Sequence, residues 1–354
     1  VAVYDLERLS VCVIEDNVYV RRILARLLRQ LRVGRIELAD NGEEAIANFK
    51  AMAQNPAMRA ELAPDIIISD LVMVPVNGLL LLRWLRGAKE SFNRMVPFIM
   101  LSGAADQDYV TASRDLGCTE FLAKPFSALT VYKKLLEVID YPRQFIATQA
   151  YFGPDRRRKA DPISFKERRV RTDDDVTIVY SSNRLNKPTR PSDVWSFRLP
   201  NRLRDKVTNG VSTGVGEIPT GLIEQAEEAL ERASLDFTEW AREYIGQLTK
   251  LCTEARESYS SRAYKFSEIN LLAHELRGQG GTFGYPLITM FGKMLYMATL
   301  PDCRTDDNAV EIVKAHIDAM RAVIREKVAG DGGTIGRSLL AALEKAIAKN
   351  VTMV

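Results

Sequence analysis

Residues 65–70 read Asp65-Ile66-Ile67-Ile68-Ser69-Asp70, and this stretch decides the architecture. Three consecutive isoleucines leave no polar face, so the segment predicts a strand covered on both sides, as in parallel sheets layered between helices. The same alternation repeats on either side of it. Further strands are expected at 9–14, 35–39, 97–101 and 120–122. Helices are expected at 18–31, with an outer positive face of Arg21, Arg22, Arg26 and Arg29, and at 42–52, 78–87, 106–116 and 127–139. Five strands with helical crossovers make an α/β parallel sheet with helices on both faces. Ligand sites in such sheets form beyond the carboxyl ends of the strands.

The informative polar residues stand at those ends. Glu15-Asp16 follows the first strand, Asp70 the third, Ser102 the fourth and Lys124 the fifth. Three converging carboxylates repel one another unless a cation sits among them, and a hard, oxygen-seeking ion such as Mg²⁺ fits that donor set. The ion would offset charge during in-line attack by Asp70 on a phosphoryl group. Lys124 offers a mobile point charge to phosphoryl oxygens, and the Ser102 hydroxyl offers a donor. Pro125 follows Lys124, and a cis peptide there would aim the lysine into the site.

These residues resemble the receiver domain of bacterial response regulators over about 130 residues, with a flavodoxin-like fold. The match comprises the acidic pair Glu15-Asp16, Asp70-x-x-Met73 with Gly78 eight residues on, Ser102-Gly103, and Phe121-Leu122-Ala123-Lys124-Pro125. The resemblance implies that Asp70 is the phosphoacceptor and that Asp16, Asp70 and the Val72 carbonyl bind Mg²⁺, with Glu15 acting through metal-bound water. It also implies that Ser102 and Phe121 rearrange together when Asp70 is modified. Two departures stand out. Pro75 comes one place later than usual, which changes the loop after Asp70, and residues 53–64 insert an extra element before the third strand.

Composition bounds the rest. A chain of 354 residues has room for two or three domains. A net charge of +3 implies no bulk attraction to nucleic acid or anionic membrane. Cys12, Cys118, Cys252 and Cys303 are scattered without a CxxC, which fits a reducing, cytoplasmic setting. Asp5, Glu7 and Arg8 interrupt any leader core, and no apolar run reaches the roughly 18 residues of a membrane helix. The chain opens on Val1 rather than Met, so its start reads as trimmed.

Three regions emerge: 1–141 as receiver, 142–215 as a basic, proline-containing, partly ordered linker, and 216–354 as a helical bundle. The middle has eight basic side chains against two acidic ones between 156 and 171, with short strands expected at 176–180 and 194–197. A flexible linker of that length spans about 45–50 Å root-mean-square. No helix-turn-helix or zinc-finger pattern accompanies the basic run, so nucleic acid is not the expected partner.

In the last region, helices are expected at 218–230, 237–259, 266–280, 286–298, 307–328 and 335–349. On a wheel, Ile269, Leu272 and Leu276 define the buried face, and His274 lies about 170° away, so its ring is expected to face solvent or a partner. Gly278 and Gly281 fall on the same stripe, with Arg277 and Leu271 flanking it. Glycine inside a helix costs about 1 kcal/mol against alanine, so these positions suggest a bare surface for a docking partner.

The motif His274-x-x-Arg277-Gly278, followed by Phe283-Gly284, resembles the histidine phosphotransfer (HPt) domain. The resemblance implies that His274 exchanges phosphoryl with a receiver aspartate and that Arg277 steadies the added charge. His316 lacks the accompanying residues and reads as structural. His274-Glu275-Leu276-Arg277 also looks like the phosphoacceptor box of sensor kinases, with Glu275 as base. Only 80 residues remain after His274, however, and no ATP-binding region is visible. The expectation is a two-component phosphorelay protein, a phosphotransfer protein rather than a turnover enzyme. Its partners would be a sensor histidine kinase or phosphotransfer protein and a receiver-domain protein. The alternatives are a phosphorylation-regulated adaptor whose bundle is a docking domain, and a dimeric kinase-like phosphotransferase bundle without ATP binding.

Overall fold

The computed structural model describes residues 2–103, 107–156, 176–181, 187–208, 216–217 and 219–351. The basic run from 157 to 171 and the acidic triplet that follows lie outside the described residues. The chain divides into two compact units, Val1–Ala123 with Ala128–Glu227, and Lys124–Ser127 with Glu228–Val354.

The first unit opens with β1 (Ala2–Val3), β2 (Ser10–Ile14), α1 (Val18–Gln30), β3 (Arg35–Ala39), α2 (Gly42–Gln54) and α3 (Pro56–Leu62). It continues with β4 (Ile66–Asp70), α4 (Gly78–Gly87), β5 (Phe98–Gly103), α5 (Gln107–Leu116), β6 (Glu120–Lys124) and α6 (Ala128–Asp140). The sheet order is β3-β2-β4-β5-β6, and the pairs β2–β3, β2–β4 and β4–β5 are parallel. All five residues of β4 are buried, as an isoleucine run between two helical layers requires. Asn17, Asn41, Asn55 and Asn77 cap α1, α2, α3 and α4, each accepting from backbone N–H groups of the first turn. The extra element expected in 53–64 is α3, started by Asn55 and Pro56.

The middle region carries two strands beyond the two expected in it. β7 (Phe145–Ala147), β8 (Phe152–Pro154), β9 (Val176–Val179) and β10 (Val194–Phe197) form a second sheet in the order β8-β7-β10-β9. The two strands expected from the sequence are β9 and β10. What periodicity could not show is that β10 pairs antiparallel with β7, some fifty residues earlier. Phe145, Phe152 and Phe197 make a small core, with the Phe152 and Phe197 rings 5.8 Å apart, edge to face. Two buried arginines join it to the helical layer of the five-stranded sheet. The Arg94 guanidinium lies 4.0 Å from the Phe152 ring centroid and that of Arg86 5.1 Å from Phe145. Each donates to the other's carbonyl, at 2.7 and 2.8 Å. The described residues of this segment are therefore ordered, and the 45–50 Å span of a flexible chain does not apply to them. After it come α7 (Arg202–Thr208) and β11 (Gly216–Glu217), which pairs in parallel with β1.

The remainder is helical: α8 (Thr220–Glu257), α9 (Arg262–Gln279), α10 (Pro286–Ala298), α11 (Asp307–Arg325) and α12 (Gly333–Val351). α8 is one helix where two were expected, because neither glycine nor proline interrupts residues 222–245. α10 packs against both α9 and α11, and α11 against α12. α9 and α10 approach closely at two glycines. A Cβ on Gly292 would lie 2.8 Å from the Arg277 nitrogen, and one on Gly280 would lie 2.7 Å from the Thr289 nitrogen. Among the described residues no helix is long and apolar enough to cross a membrane. All four cysteines are free thiols, and burial pushes those of Cys12 and Cys118 up to about 12.

Phe197 is 1% exposed at the centre of the second sheet. Phe197→Ala is expected to destabilise the first unit by about 3–5 kcal/mol, read as a lower urea midpoint. A wild-type midpoint would show that this sheet adds nothing to the unit's stability.

Candidate functional site

The parallel sheet delivers its acids to one edge because β2 and β4 are neighbours in register, Ile14 opposite Ser69. The residues that follow are then Glu15-Asp16 on one strand and Asp70 on the other. Their carboxylate oxygens lie within 4.8 Å of one another. Glu15 is 0% and Asp70 1% exposed, while Asp16 is open to solvent.

Two backbone approaches hold the cluster. Asp16 Oδ2 accepts from the Val74 N–H at 3.3 Å, which ties the loop after β4 to the loop after β2. Gly78 opens α4 against the strand end, and a Cβ there would lie 2.2 Å from the Asp70 carbonyl oxygen. That approach explains the glycine eight residues after Asp70. The Val74–Pro75 and Lys124–Pro125 peptides are both cis.

Arg21 was missed as a site residue. Helical spacing placed it on a positive outer face, yet it is buried. One Nη donates to the Glu15 carbonyl at 2.5 Å and the other pairs with Asp40 at 2.6 Å. Its signal was position: one turn into α1, it can reach back past the helix start. Ser102 is buried in β5, and its Oγ has no hydrogen-bond partner among the described residues, so a donor remains for an incoming oxygen. Lys124 ends β6 and is buried. Phe121 and Val72 are half-buried against the apolar core under the sheet.

At an effective dielectric near 20, charges about 5 Å apart repel by about 3 kcal/mol per pair. Carboxylates of this number and spacing suit a hard divalent ion. Glu15, Asp16 and Asp70 are the residues that could hold it.

In the bundle, α9 brings His274 and Arg277 together, but not as an open imidazole. His274 is 8% exposed, and its Nδ1 lies 3.2 Å from Arg277 Nη2. Its ring centroid is 5.7 Å from that of Tyr296, and the Arg277 guanidinium sits 4.4 Å from the same ring. The sequence placed this ring toward solvent or a partner; solvent is largely excluded from it, and the wheel could not show Tyr296 arriving from α10. Burial, and then the Arg277 charge, push the His274 imidazole down to about 3. Leu271 is 46% exposed, whereas Gly278 is buried and Gly281 half-buried, its N–H donating to Thr289 Oγ1 at 2.8 Å. His316 is structural in its contacts, with Nδ1 2.7 Å from the Ile312 carbonyl.

Comparison with known proteins gives a consistent answer for the first part of the chain. Residues 11–136 match the family model of the response regulator receiver domain. Chemotaxis protein CheY-3 of Vibrio cholerae is 24% identical over 134 residues, covering 38% of this chain and 94% of that protein. The solved structure of CheY4 from Vibrio cholerae is 25% identical, covers 37% of this chain and 98% of that one, and has a TM-score of 0.31. The receiver domain of the histidine kinase CKI1 from Arabidopsis thaliana, solved with Mg²⁺ and BeF3⁻, is 24% identical. It covers 38% of this chain and 94% of that one, with a TM-score of 0.32.

Gly78→Ala is expected to cost about 1–3 kcal/mol of stability by forcing α4 off the strand end, read by urea unfolding. An unchanged midpoint would mean that the approach is not required. The His274 ring is expected to stay neutral from pH 8 to pH 5, so its NMR ring signals hold still over that range. Its folded value lies below the unfolded value of about 6.5. The unfolded chain therefore binds the extra proton, and this group's contribution is intact above pH 6.5 and falls away toward pH 3. A titration midpoint near 6.5 would contradict the buried ring.

Proposed function

With residues 11–136 a receiver domain of two-component signalling, we propose that Asp70 accepts a phosphoryl group from a phosphohistidine of a sensor histidine kinase or phosphotransfer protein. The observation that carries this reading is the carboxylate cluster at the strand ends. Glu15, Asp16, Asp70 and the Val72 carbonyl would hold Mg²⁺, which when bound offsets the charge of the carboxylates and the phosphoryl oxygens. An Asp70 oxygen forms the new bond to phosphorus as the donor's N–P bond breaks. The donor imidazole leaves neutral, keeping the proton on its other nitrogen. Lys124 and the Ser102 hydroxyl donate to the phosphoryl oxygens, and Phe121 shifts with Ser102 once the acyl phosphate has formed. The setting is cytoplasmic, and nucleic acid plays no part.

The relay half assigns residues 216–354 as an HPt-like bundle in which His274 exchanges phosphoryl with a receiver aspartate. A neutral imidazole beside a guanidinium supports it, since the ring is nucleophilic and Arg277 can balance the added charge. One observation favours the alternative, a phosphorylation-regulated adaptor in which His274 serves docking only. A guanidinium can only donate, so Nδ1 accepts from Arg277 and Nε2 carries the ring proton. In that tautomer no ring lone pair is free for attack until Arg277 lets go.

Radiolabelled transfer from a phosphorylated histidine kinase tests both readings. Asp70→Asn is expected to abolish labelling, as is removal of Mg²⁺ by EDTA; full labelling of Asp70→Asn overturns the assignment. His274→Ala divides the readings: loss of onward transfer to a second receiver supports the relay, and unchanged transfer supports the adaptor. Mg²⁺ at a hundredfold excess over its Kd is expected to stabilise the wild type by about 2.7 kcal/mol and Asp16→Asn by much less. Equal thermal shifts would place the ion elsewhere.

A further inference from the structure

The ends of the receiver strands away from Asp70 border a second feature. A cleft of about 650 Å³ opens there, lined by Asp65, Pro97 and Thr119, which lead into β4, β5 and β6. Segments 142–145 and 197–203 form its other side. Asp65 and Asp70 bracket β4, so the cleft and the acidic cluster lie about 16 Å apart along one strand. Its volume is that of pockets that enclose whole small molecules.

The charge in this cleft is one-sided. Arg59, Arg143, Arg198 and Arg202 line it. Arg143 is committed to the fold, donating to the carbonyls of Thr119, at 3.3 Å, and Asp155. The other three are exposed and hold no ion pair among the described residues. The acid in the lining, Asp65, is already engaged, its Oδ2 accepting from Lys206 Nζ at 2.6 Å and the Ser10 N–H at 2.8 Å. Three uncommitted guanidinia therefore share one concavity, and like charges gather there at a cost unless an anion joins them.

The remaining lining is apolar. Pro142 and Leu199 are exposed in the lining, Met95 and Pro97 extend that apolar surface, and Phe145 and Phe197 are buried behind it. Gln144 is exposed in the lining and offers an amide for the edge of a polar ring. Guanidinium forks match phosphate oxygens in pairs, and a dianion answers three cations better than a lone carboxylate does.

We propose that this cleft binds a small phosphorylated metabolite carrying a flat ring, the chemistry of a nucleoside monophosphate. Arg59, Arg198 and Arg202 take the phosphate, and the ring lies along Pro97, Pro142 and Leu199. The site is separate from the acidic cluster and does not depend on the function assigned to it.

Isothermal titration calorimetry of the full chain with 5′-AMP, 5′-GMP and inorganic phosphate tests this. At least one nucleotide is expected to bind in the micromolar range, about tenfold or more tighter than inorganic phosphate. Arg198→Glu and Arg202→Glu are each expected to weaken that binding by about tenfold or more. Both positions are exposed, and an unchanged urea midpoint shows that the variants fold. Asp70→Asn is expected to bind as wild type does, which separates this result from the fate of the acidic site. No binding of either nucleotide at millimolar concentration overturns the proposal, as does wild-type affinity in both arginine variants. Inorganic phosphate binding as tightly as the nucleotides overturns the role of the apolar wall.

Discussion

Charge repulsion among three carboxylates is the constraint around which the receiver domain is arranged. Glu15 and Asp70 are buried and, with Asp16, lie within 4.8 Å of one another, so water alone cannot disperse their charge. The sheet creates this crowding because two adjacent parallel strands end level with each other. The backbone maintains it: Gly78 lets α4 close on the Asp70 carbonyl, and Val74 holds Asp16. A cation or an added phosphoryl group at such a site would change the local charge by a whole unit or more, which is why the proposed chemistry belongs there.

How much of this was legible in sequence follows from how local each signal is. Ile66-Ile67-Ile68 fixed a doubly covered strand without further context, and Asp70 at its end followed directly. Gly78 was legible as a motif, but its reason, the 2.2 Å approach, exists only in three dimensions. Arg21 was misread because helical spacing counts faces and not reach. Its side chain turns back along the helix toward the Glu15 carbonyl, so the positive outer face loses one member.

The two histidines show the same limit from another side. The wheel separated His274 from the aliphatic face of its own helix, and Ile269 and Leu276 are indeed fully buried there. It carried no information about α10, whose Tyr296 and close glycine contact bring a second surface to Arg277 and the ring. Both histidines end with imidazoles pushed toward the neutral form by burial, one beside a guanidinium and one bonded to a carbonyl. Their roles differ through those partners. A carbonyl fixes a ring by accepting its proton, whereas a guanidinium occupies a lone pair that a nucleophile would use.

Arginine carries the least legible part of the chain. By composition, the arginines of the first unit are interchangeable cations on a mildly basic protein. Their partners divide them. Arg86 and Arg94 are buried, exchange hydrogen bonds through each other's carbonyls and lie over phenylalanine rings; burial pushes the Arg86 guanidinium down to about 10. Arg143 bridges two carbonyls. These three act as multidentate donors to backbone in places where lysine, with one flexible ammonium, could not substitute. Arg59, Arg198 and Arg202 make no such commitments among the described residues and converge on a single cleft. A guanidinium bound to carbonyls serves the fold, and one left unpaired in a concavity stays available to a ligand. Only the distribution of acceptors around it, which depends on β7 meeting β10 across some fifty residues, tells the two apart.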